Sequence, residues 1–232
     1  NESGLGRKHV MRSIDAQLRR LRTDHVDVYQ VHRLDPRTPV EEFMETLDML
    51  VRAGKVRHVG GSTMPAYKFA QMVMFADWRG LARPICMQNL YNLVQREEER
   101  EMIPLCMSEG IAVIPWSPLA RGFLAGNRAA VKAGDTTRAR SDDFAHRMYY
   151  QADDHKVVEA VTAVAAARGV PNAQIALAWL LAQPGVTAPI IGASRLHHLD
   201  DALAALAITL DESELDTLAA PYRPHPVLGI TM

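Results

Sequence analysis

Polar and aromatic side chains follow five short apolar runs of the sequence, each at the point where its run ends. These ends read Gln30-Val31-His32-Arg33, Gly60-Gly61-Ser62-Thr63, Gln88-Asn89, Trp116-Ser117 and Gly192-Ala193-Ser194-Arg195. Together they supply neutral hydrogen-bond donors and acceptors, an aromatic plane, a glycine at a strand-to-helix junction and a basic residue beside it. This set of groups suits a ligand that carries an amide, a phosphate and an aromatic ring.

Each of these residues, taken alone, also has a purely structural interpretation. A single histidine such as His32 is commonly a hydrogen-bonded structural residue, and Ser62-Thr63 after a strand commonly begins a helix. Trp116 could equally pack in a core, and Arg195 could be a solvated residue of a first helical turn. In parallel α/β folds, however, functional groups collect at the carboxyl ends of the strands. Because all five predicted strands end in polar or aromatic side chains, a functional site is favoured over five separate structural roles.

Two common kinds of catalysis find no support in the sequence. No cluster of His, Cys and carboxylate residues has the spacing of metal ligands, and the side chains of the adjacent His197 and His198 are expected to point apart on a helix. We therefore predict no metal site. No Gly-x-Ser-x-Gly motif is present, and Ser62 and Ser117 have no base near them in the sequence, so nothing indicates a hydrolase.

The elements that must position these groups alternate between strands and helices. The predicted strands are Val26 to Val31, Val56 to Ser62, Ile85 to Asn89, Ile111 to Pro115 and Pro189 to Gly192. The predicted helices are Pro39 to Arg52, Ala66 to Ala76, Glu97 to Ser108, His155 to Arg168, Asn172 to Ala182 and Leu196 to Leu206. This alternation predicts a parallel sheet with helices outside it, and the repeated βα unit favours a barrel. The absence of a glycine-rich dinucleotide fingerprint argues against a Rossmann domain.

The aperiodic stretch from Gly126 to Asp154 is predicted to be an inserted surface loop.

Composition and charge describe an ordinary globular domain. The chain has 232 residues, 48% of them hydrophobic, with 26 basic and 27 acidic side chains. This balance gives no electrostatic reason to expect nucleic acid or an anionic membrane as a partner. The longest apolar stretches, such as Ala202 to Leu210, are too short to span a bilayer. Cys86 and Cys106 are predicted to be buried, reduced thiols, and with no export signal at its start the chain is expected to be cytoplasmic.

Several of these segments carry a resemblance to a known family. The segments are Ser13-Ile14-Asp15 through Val31-His32, Gly54-Lys55-Val56-Arg57 through Gly60-Gly61-Ser62, Met87-Gln88-Asn89-Leu90-Tyr91-Asn92, Ile114-Pro115-Trp116-Ser117-Pro118-Leu119-Ala120-Arg121-Gly122 and Ile190-Ile191-Gly192-Ala193-Ser194-Arg195. In this order and spacing they resemble the aldo-keto reductase family, and the bacterial members that carry Trp-Ser-Pro-Leu are the most similar. The resemblance covers nearly the whole chain.

The resemblance implies a (β/α)8 TIM barrel that binds NADP(H) across its carboxyl-end face and reduces the carbonyl group of a small molecule. His32 then matches the histidine of the family's catalytic tetrad, which orients the carbonyl by hydrogen bonding. Ser62 and Gln88 match the residues that bind the nicotinamide carboxamide, and Thr63 stands where many members have Asn. Such bonds would decide which face of the ring meets the substrate.

The remaining cofactor contacts also follow from the resemblance. Trp116 matches the residue that stacks on the nicotinamide. Further matches are Ser117, Leu119 and Gly122 along the pyrophosphate, Gly192, Ser194 and Arg195 at the adenosine 2′-phosphate, and His198 and Asp201 at the adenine. A guanidinium pairs with phosphate through a fixed fork, so Arg195 favours NADPH over NADH. Ala202 replaces the usual Asn, which removes one adenine contact.

The resemblance leaves part of the tetrad unassigned. The family's proton-donating tyrosine, its lysine and its aspartate lie on strands before the one that ends at His32, whereas only Asn1 to Val10 precede the helix that leads into that strand. Tyr29 and Lys55 do not lie in the matching motifs. We therefore expect residues 1–232 to form a single partial barrel domain holding roughly the last five βα units, the others belonging to a longer polypeptide or a separate segment. A nucleotide-binding regulatory subunit of the same fold and an inactive fragment remain alternatives, and the sequence specifies neither the substrate nor the oligomeric state.

Overall fold

The computed structural model describes residues 3–126 and 152–224. The chain divides into two compact units. Of the described residues, the first unit contains 3–89 and 100–113, and the second contains 90–99, 114–126 and 152–224.

The first unit is built around a four-stranded parallel sheet in the order β1-β2-β3-β4. The strands are β1 (Val26–Val31), β2 (Val56–Ser62), β3 (Pro84–Gln88) and β4 (Ala112–Val113), and the helices are α1 (Arg7–Leu21), α2 (Val40–Arg52), α3 (Ala66–Arg79) and α4 (Met102–Ser108). In the register of neighbouring strands, Val26 pairs with Val56 and Ser62 pairs with Gln88. Each helix connects or precedes parallel strands, as a βα repeat requires.

The core of the first unit lies between the sheet and its helices. Helix α2 buries Phe43 and Leu47 on one face, which matches the apolar stripe of the sequence. On the helix side of β2, a Cβ at Gly61 would lie 2.8 Å from the Phe69 ring of α3. Only glycine allows this close approach of strand and helix.

The second unit is helical in most of its described length. Its helices are α5 (Ala152–Arg168), α6 (Asn172–Leu181), α7 (Leu196–Ala204) and α8 (Glu212–Ala219). Helix α6 buries every residue from Ile175 to Leu180, as expected of a helix that is apolar on all sides. Helix α8 begins at a reciprocal capping box between Asp211 and Glu214, and Arg168 of α5 forms an ion pair with Glu214.

The predicted strands are confirmed in the first half of the chain and differ later. Strands β1 and β2 have the predicted bounds, β3 is shifted by one residue, and β4 is shortened to two residues. The prediction of a strand from Pro189 to Gly192 is wrong, because Ile190 forms only an isolated parallel bridge with Trp116. Pro189 has no N–H to donate, which limits pairing at that point.

Two other predicted segments differ for identifiable reasons. The helix predicted from Glu97 to Ser108 is split into a 3₁₀ turn, Glu97–Glu99, and helix α4. Pro104 lies in the first turn of α4, and its ring would clash with the Arg100 carbonyl if the helix continued backwards. The predicted loop from Gly126 to Asp154 ends earlier, since residues 152–154 already belong to α5; residues 127–151 of that prediction lie outside the described residues.

Within residues 3–126 and 152–224, no helix is both long enough and apolar enough to cross a membrane. Cys86 and Cys106 are buried free thiols, as predicted.

Candidate active site

In the first unit, Ser62 and Gln88 end neighbouring parallel strands and are direct register partners. The Thr63 backbone N–H donates to the Gln88 carbonyl at 3.1 Å, which ties the two strand ends together. Ser62 is 2% exposed, and its Oγ lies 3.3 Å from Thr63 Oγ1. The Gln88 side chain is half-buried and has no hydrogen-bond partner among the described residues. Its amide is therefore available to a ligand.

Thr63 has a left-handed backbone, with φ of 43°. A β-branched residue rarely adopts this conformation, and such outliers persist where surrounding contacts impose them. Here the bond to the Gln88 carbonyl is one of those contacts. The strand end is thus held in a strained conformation at the place where the sequence predicts ligand binding.

His32 follows β1 directly and is exposed. Gln30, Gly60 and Cys86 are register neighbours, and Gln30 Nε2 lies 3.4 Å from Cys86 Sγ. A Cβ at Gly60 would lie 2.4 Å from Gln30 Oε1, so the glycine lets the glutamine lie across the sheet. By strand alternation, the next residues on this face are His32, Ser62 and Gln88. The fold thus brings these three to one edge of one sheet face.

His32 also borders an open groove of about 760 Å³ in the first unit, formed with residues of α1 and β1. In the described chain its side chain makes no hydrogen bond or ion pair. An imidazole in this position can offer a hydrogen bond to a small polar molecule.

Tyr29 and Lys55 each have a polar partner on α1 in the first unit. Gln17 of α1 donates to the Tyr29 hydroxyl at 3.4 Å, and burial raises the pKa of Tyr29. Lys55 immediately precedes β2, at the amino end of the strand, and donates to Asp15 at 2.6 Å. Lys55 is thus at the opposite end of its strand from Ser62, whereas Tyr29 lines the same groove as His32.

The loop after β1 contains a residue that the sequence analysis missed. Asp35 accepts hydrogen bonds from the backbone of Arg37 at 3.0 Å, the Thr38 hydroxyl at 2.9 Å and the backbone of Leu5 at 3.2 Å. These donors, the Arg37 N–H first, lower the pKa of Asp35 to about 2. The Asp35-Pro36 dipeptide is a turn signal that could have indicated this role.

In the second unit, the segment from Trp116 to Gly122 has an unusual backbone. Ser117, Ala120 and Arg121 have φ values of 57°, 47° and 57°. The Gly122 N–H donates to the Leu119 carbonyl at 2.8 Å and is therefore already in use. The Leu119 amide makes no backbone hydrogen bond in the described chain, which leaves it as a candidate donor to a phosphate, whereas the Ser117 amide lies at the parallel bridge between Trp116 and Ile190.

The predicted phosphate residues lie at the start of α7 in the second unit. Gly192, Ser194 and Arg195 are exposed, and Arg195 is the N-cap residue of the helix. Its guanidinium has no hydrogen bond or ion pair with any residue in the described ranges. A free guanidinium beside the positive end of a helix favours an anion.

The two predicted adenine residues already have partners. The ring of His198 lies near Ser194, with Nδ1 3.4 Å from the serine backbone nitrogen. It also packs edge-on against His197, with 4.5 Å between the ring centroids, so the expectation that these two side chains point apart is wrong. Asp201 accepts from Gln174 Nε2 at 2.9 Å.

Taken unit by unit, the donor sets fit parts of a nicotinamide dinucleotide phosphate. A hydroxyl and a free amide at the strand edge suit a carboxamide, and a free guanidinium at a helix start suits a phosphate. Trp116 is half-buried and offers ring surface. In the described ranges, no group of three His, Cys, Asp or Glu side chains could hold a metal ion.

A parallel α/β sheet with polar groups along its carboxyl edge defines the class of this protein, and comparison with known proteins gives the family. The model of the aldo/keto reductase family matches residues 1–222. An aldo-keto reductase of Fusarium vanettenii is 41% identical over 232 residues, covering 99% of this chain and 61% of that protein. The versiconal hemiacetal acetate reductase of Aspergillus parasiticus is 39% identical over 230 residues, covering 98% of this chain and 66% of that protein.

A solved structure supports the same assignment. A thermostable aldo-keto reductase in complex with the inhibitor epalrestat matches with a TM-score of 0.74 and 28% identity, covering 94% of this chain and 67% of that one. The chain belongs to the aldo/keto reductase family, and its fold class is the α/β TIM barrel predicted from the sequence. It spans 61% of the length of the Fusarium relative.

Proposed function

We propose that this chain takes part in the NADPH-dependent reduction of an aldehyde or ketone. The observation that carries the proposal is the pairing of Ser62 with Gln88 at the carboxyl edge of neighbouring strands, with the Gln88 amide free of partners among the described residues. Membership of a family of oxidoreductases supports the same reaction class.

Each strand-end residue has a distinct task in the proposed reaction. The nicotinamide, when bound, would supply hydride to the carbonyl carbon, and the oxygen would take its proton from the family's tyrosine, which we expect outside residues 1–232. Ser62 and Gln88 bind the carboxamide and so select which face of the ring is presented. His32 donates a hydrogen bond to the carbonyl oxygen of the substrate and orients it. Trp116 provides an aromatic surface against which the ring packs.

The choice of NADPH over NADH rests on Arg195. A guanidinium forms two parallel hydrogen bonds with a phosphate, whereas a ribose hydroxyl offers no such pairing. Ser194 and Gly192 precede Arg195 and complete the exposed turn at which α7 begins. His198 and Asp201 are proposed to contact adenine, each after loosening its present contact.

The substrate class is proposed at the level of a small carbonyl compound. One relative is named a versiconal hemiacetal acetate reductase, which is a statement about that protein. The family's proton-donating tyrosine is not assigned to a residue of this chain. The activity of the whole protein is therefore part of the proposal.

The test is a fluorescence titration of the chain with NADPH, followed by an assay of NADPH oxidation with a nitrobenzaldehyde. Saturable binding with turnover supports a reductase. Binding without turnover, when the proton-donating units are also present, supports the regulatory-subunit alternative, and absence of binding contradicts the proposed cofactor site.

The His32→Ala variant tests the assignment of the carbonyl-binding residue. We expect turnover to fall by about 100-fold, since positioned acid–base groups contribute at least that much. The NADPH dissociation constant should stay within about twofold, because His32 is assigned to the substrate and not the cofactor. A loss of cofactor affinity without loss of turnover at saturating NADPH would move His32 out of the carbonyl site.

A further inference from the structure

The loop from Trp116 to Gly122 cannot hold its shape by local preference alone. Its Ser117, Ala120 and Arg121 are L-residues with positive φ, a region that costs them free energy. Contacts from outside the loop must therefore stabilise it. The Ser117 carbonyl is the place where such a contact is made.

The Ser117 carbonyl oxygen accepts two hydrogen bonds. One comes from the Ala120 N–H within the loop at 2.9 Å, and the other comes from Asn92 Nδ2 at 3.0 Å. The second bond joins residues 25 positions apart in the sequence. Because both donors converge on one carbonyl, they fix the orientation of the peptide unit that follows Ser117.

The other end of the Asn92 amide is also committed. Asn92 Oδ1 accepts from the backbone N–H groups of Val94 and Gln95, both at 3.0 Å. Asn92 is fully buried, and its backbone exchanges two further hydrogen bonds of 3.1 Å with Gln95. A flipped amide would place its NH2 group against two N–H donors. The direction in which Nδ2 points is therefore set by the turn.

The turn itself is anchored to the helical part of the second unit. The Tyr91 hydroxyl donates to Glu99 Oε1 at 2.6 Å, and Arg96 forms a two-pronged ion pair with Glu99. The Arg96 guanidinium lies over the rings of Trp179 and Tyr222, at 5.2 and 5.0 Å. Burial opposes the charge on Arg96, but Glu99 outweighs it and raises the pKa of the guanidinium. Asn92 is thus presented by a supported segment.

We propose that Asn92 is a positioning residue for the cofactor loop. Its Nδ2 holds the Ser117 carbonyl, and thereby fixes the peptide unit that follows Ser117 and the path of the loop to the Leu119 amide, which has no backbone partner among the described residues. The link to a cofactor rests on the proposed function, but the effect on the loop does not. Loss of the Asn92 donor should loosen the loop locally and weaken NADPH binding.

The first test is the Asn92→Asp variant, studied by hydrogen–deuterium exchange of the full chain without cofactor. Aspartate keeps an acceptor for Val94 and Gln95, but it turns an oxygen towards the Ser117 carbonyl. The Ala120 amide reports on the loop because it shares that carbonyl. We expect its exchange to accelerate about tenfold, the equivalent of one ordinary hydrogen bond, while amides of α6 keep their wild-type rates.

A second variant and a matched control separate the donor from other effects. Asn92→Ser introduces no charge and retains an oxygen that can cap the turn, but the shorter side chain cannot reach Ser117. It should accelerate hydrogen–deuterium exchange of the Ala120 amide, as Asn92→Asp does. Gln183→Glu is the control, because Gln183 Nε2 also donates to a backbone carbonyl, that of Trp179 at 2.9 Å. This control variant should leave the exchange rate of the Ala120 amide unchanged.

The outcomes distinguish this inference from the proposed function. Unchanged Ala120 exchange in both Asn92 variants overturns the positioning role, and so does equal acceleration of every amide in the second unit. Local acceleration with NADPH affinity weakened about tenfold confirms it. A wild-type chain that does not bind NADPH contradicts the proposed function alone, because the exchange is measured without cofactor.

Discussion

Helix α6 and helix α7 of the second unit differ sharply in how their side chains are used. Trp179 of α6 is 2% exposed and contacts Tyr91 and Arg96. Helix α7 buries none of its residues, Leu203 is 58% exposed, and Arg195 at its start has no partner in the described part of the chain. Side chains that satisfy one another stabilise the fold, whereas unsatisfied ones are available to a ligand.

This contrast extends to the first unit. The loop after β1 is tied down by Asp35, yet His32, three positions before it, makes no hydrogen bond within the described residues. In both units a supported segment adjoins a free polar side chain. Substitutions in the supported set should change stability, and substitutions in the free set should change binding.

The largest expected effect is on stability, from Trp179→Ala. Removing this ring should lower the free energy of unfolding by about 3–5 kcal/mol, as for other buried aromatic residues. Arg96 would also lose one of the rings that flank it. Chemical denaturation measures the change, and Leu203→Ala on α7 is the control, with an expected loss below about 0.5 kcal/mol. Similar losses for the two variants would erase the contrast between the helices.

The next effect is on binding, from Arg195→Ala. We expect the NADPH dissociation constant to rise about tenfold or more, consistent with about 1.5–3 kcal/mol for a charge-assisted hydrogen bond. NADH affinity should barely change, and the denaturation midpoint should match that of the wild type because the Arg195 guanidinium has no partner in the part of the chain that the structure describes. Fluorescence titration with both cofactors provides the measurement. Equal losses for NADPH and NADH would contradict the 2′-phosphate assignment.

The sequence predicted what local patterns encode. Strands β1 and β2 were predicted with their observed bounds because apolar runs between charges and glycines specify them. Helix α8 was missed, although Asp211 and Glu214 have the spacing of a capping box.

The supports of the candidate site could not be predicted in the same way. Asn92 appears in a family motif, but its bond to Ser117 depends on two segments meeting in three dimensions. Asp35 likewise reaches back 30 positions to Leu5. By contrast, the strand-edge set of His32, Ser62 and Gln88 follows from parallel topology alone. The roles of these three, the NADP(H) cofactor, the single-domain assignment and the cytoplasmic location stay predictions.

The smallest expected effect is a pH dependence that separates Asp35 from its free neighbour His32. The folded pKa of Asp35 is about 2, whereas an unfolded aspartate titrates near 3.9. A lowered folded pKa contributes stability that is present above about pH 4 and is lost as the pH falls towards about 2. The urea concentration at the unfolding midpoint should fall between about pH 4 and pH 2 in the wild type, and this fall should be smaller in Asp35→Asn. Asp27→Asn, which breaks an exposed ion pair with Arg57, is the control and should show the same fall of the midpoint as the wild type. If Asp35→Asn shows the same fall of the midpoint as the wild type, the loop that carries His32 is ordered without this carboxylate. The contrast between supported and free side chains would then hold only in the second unit.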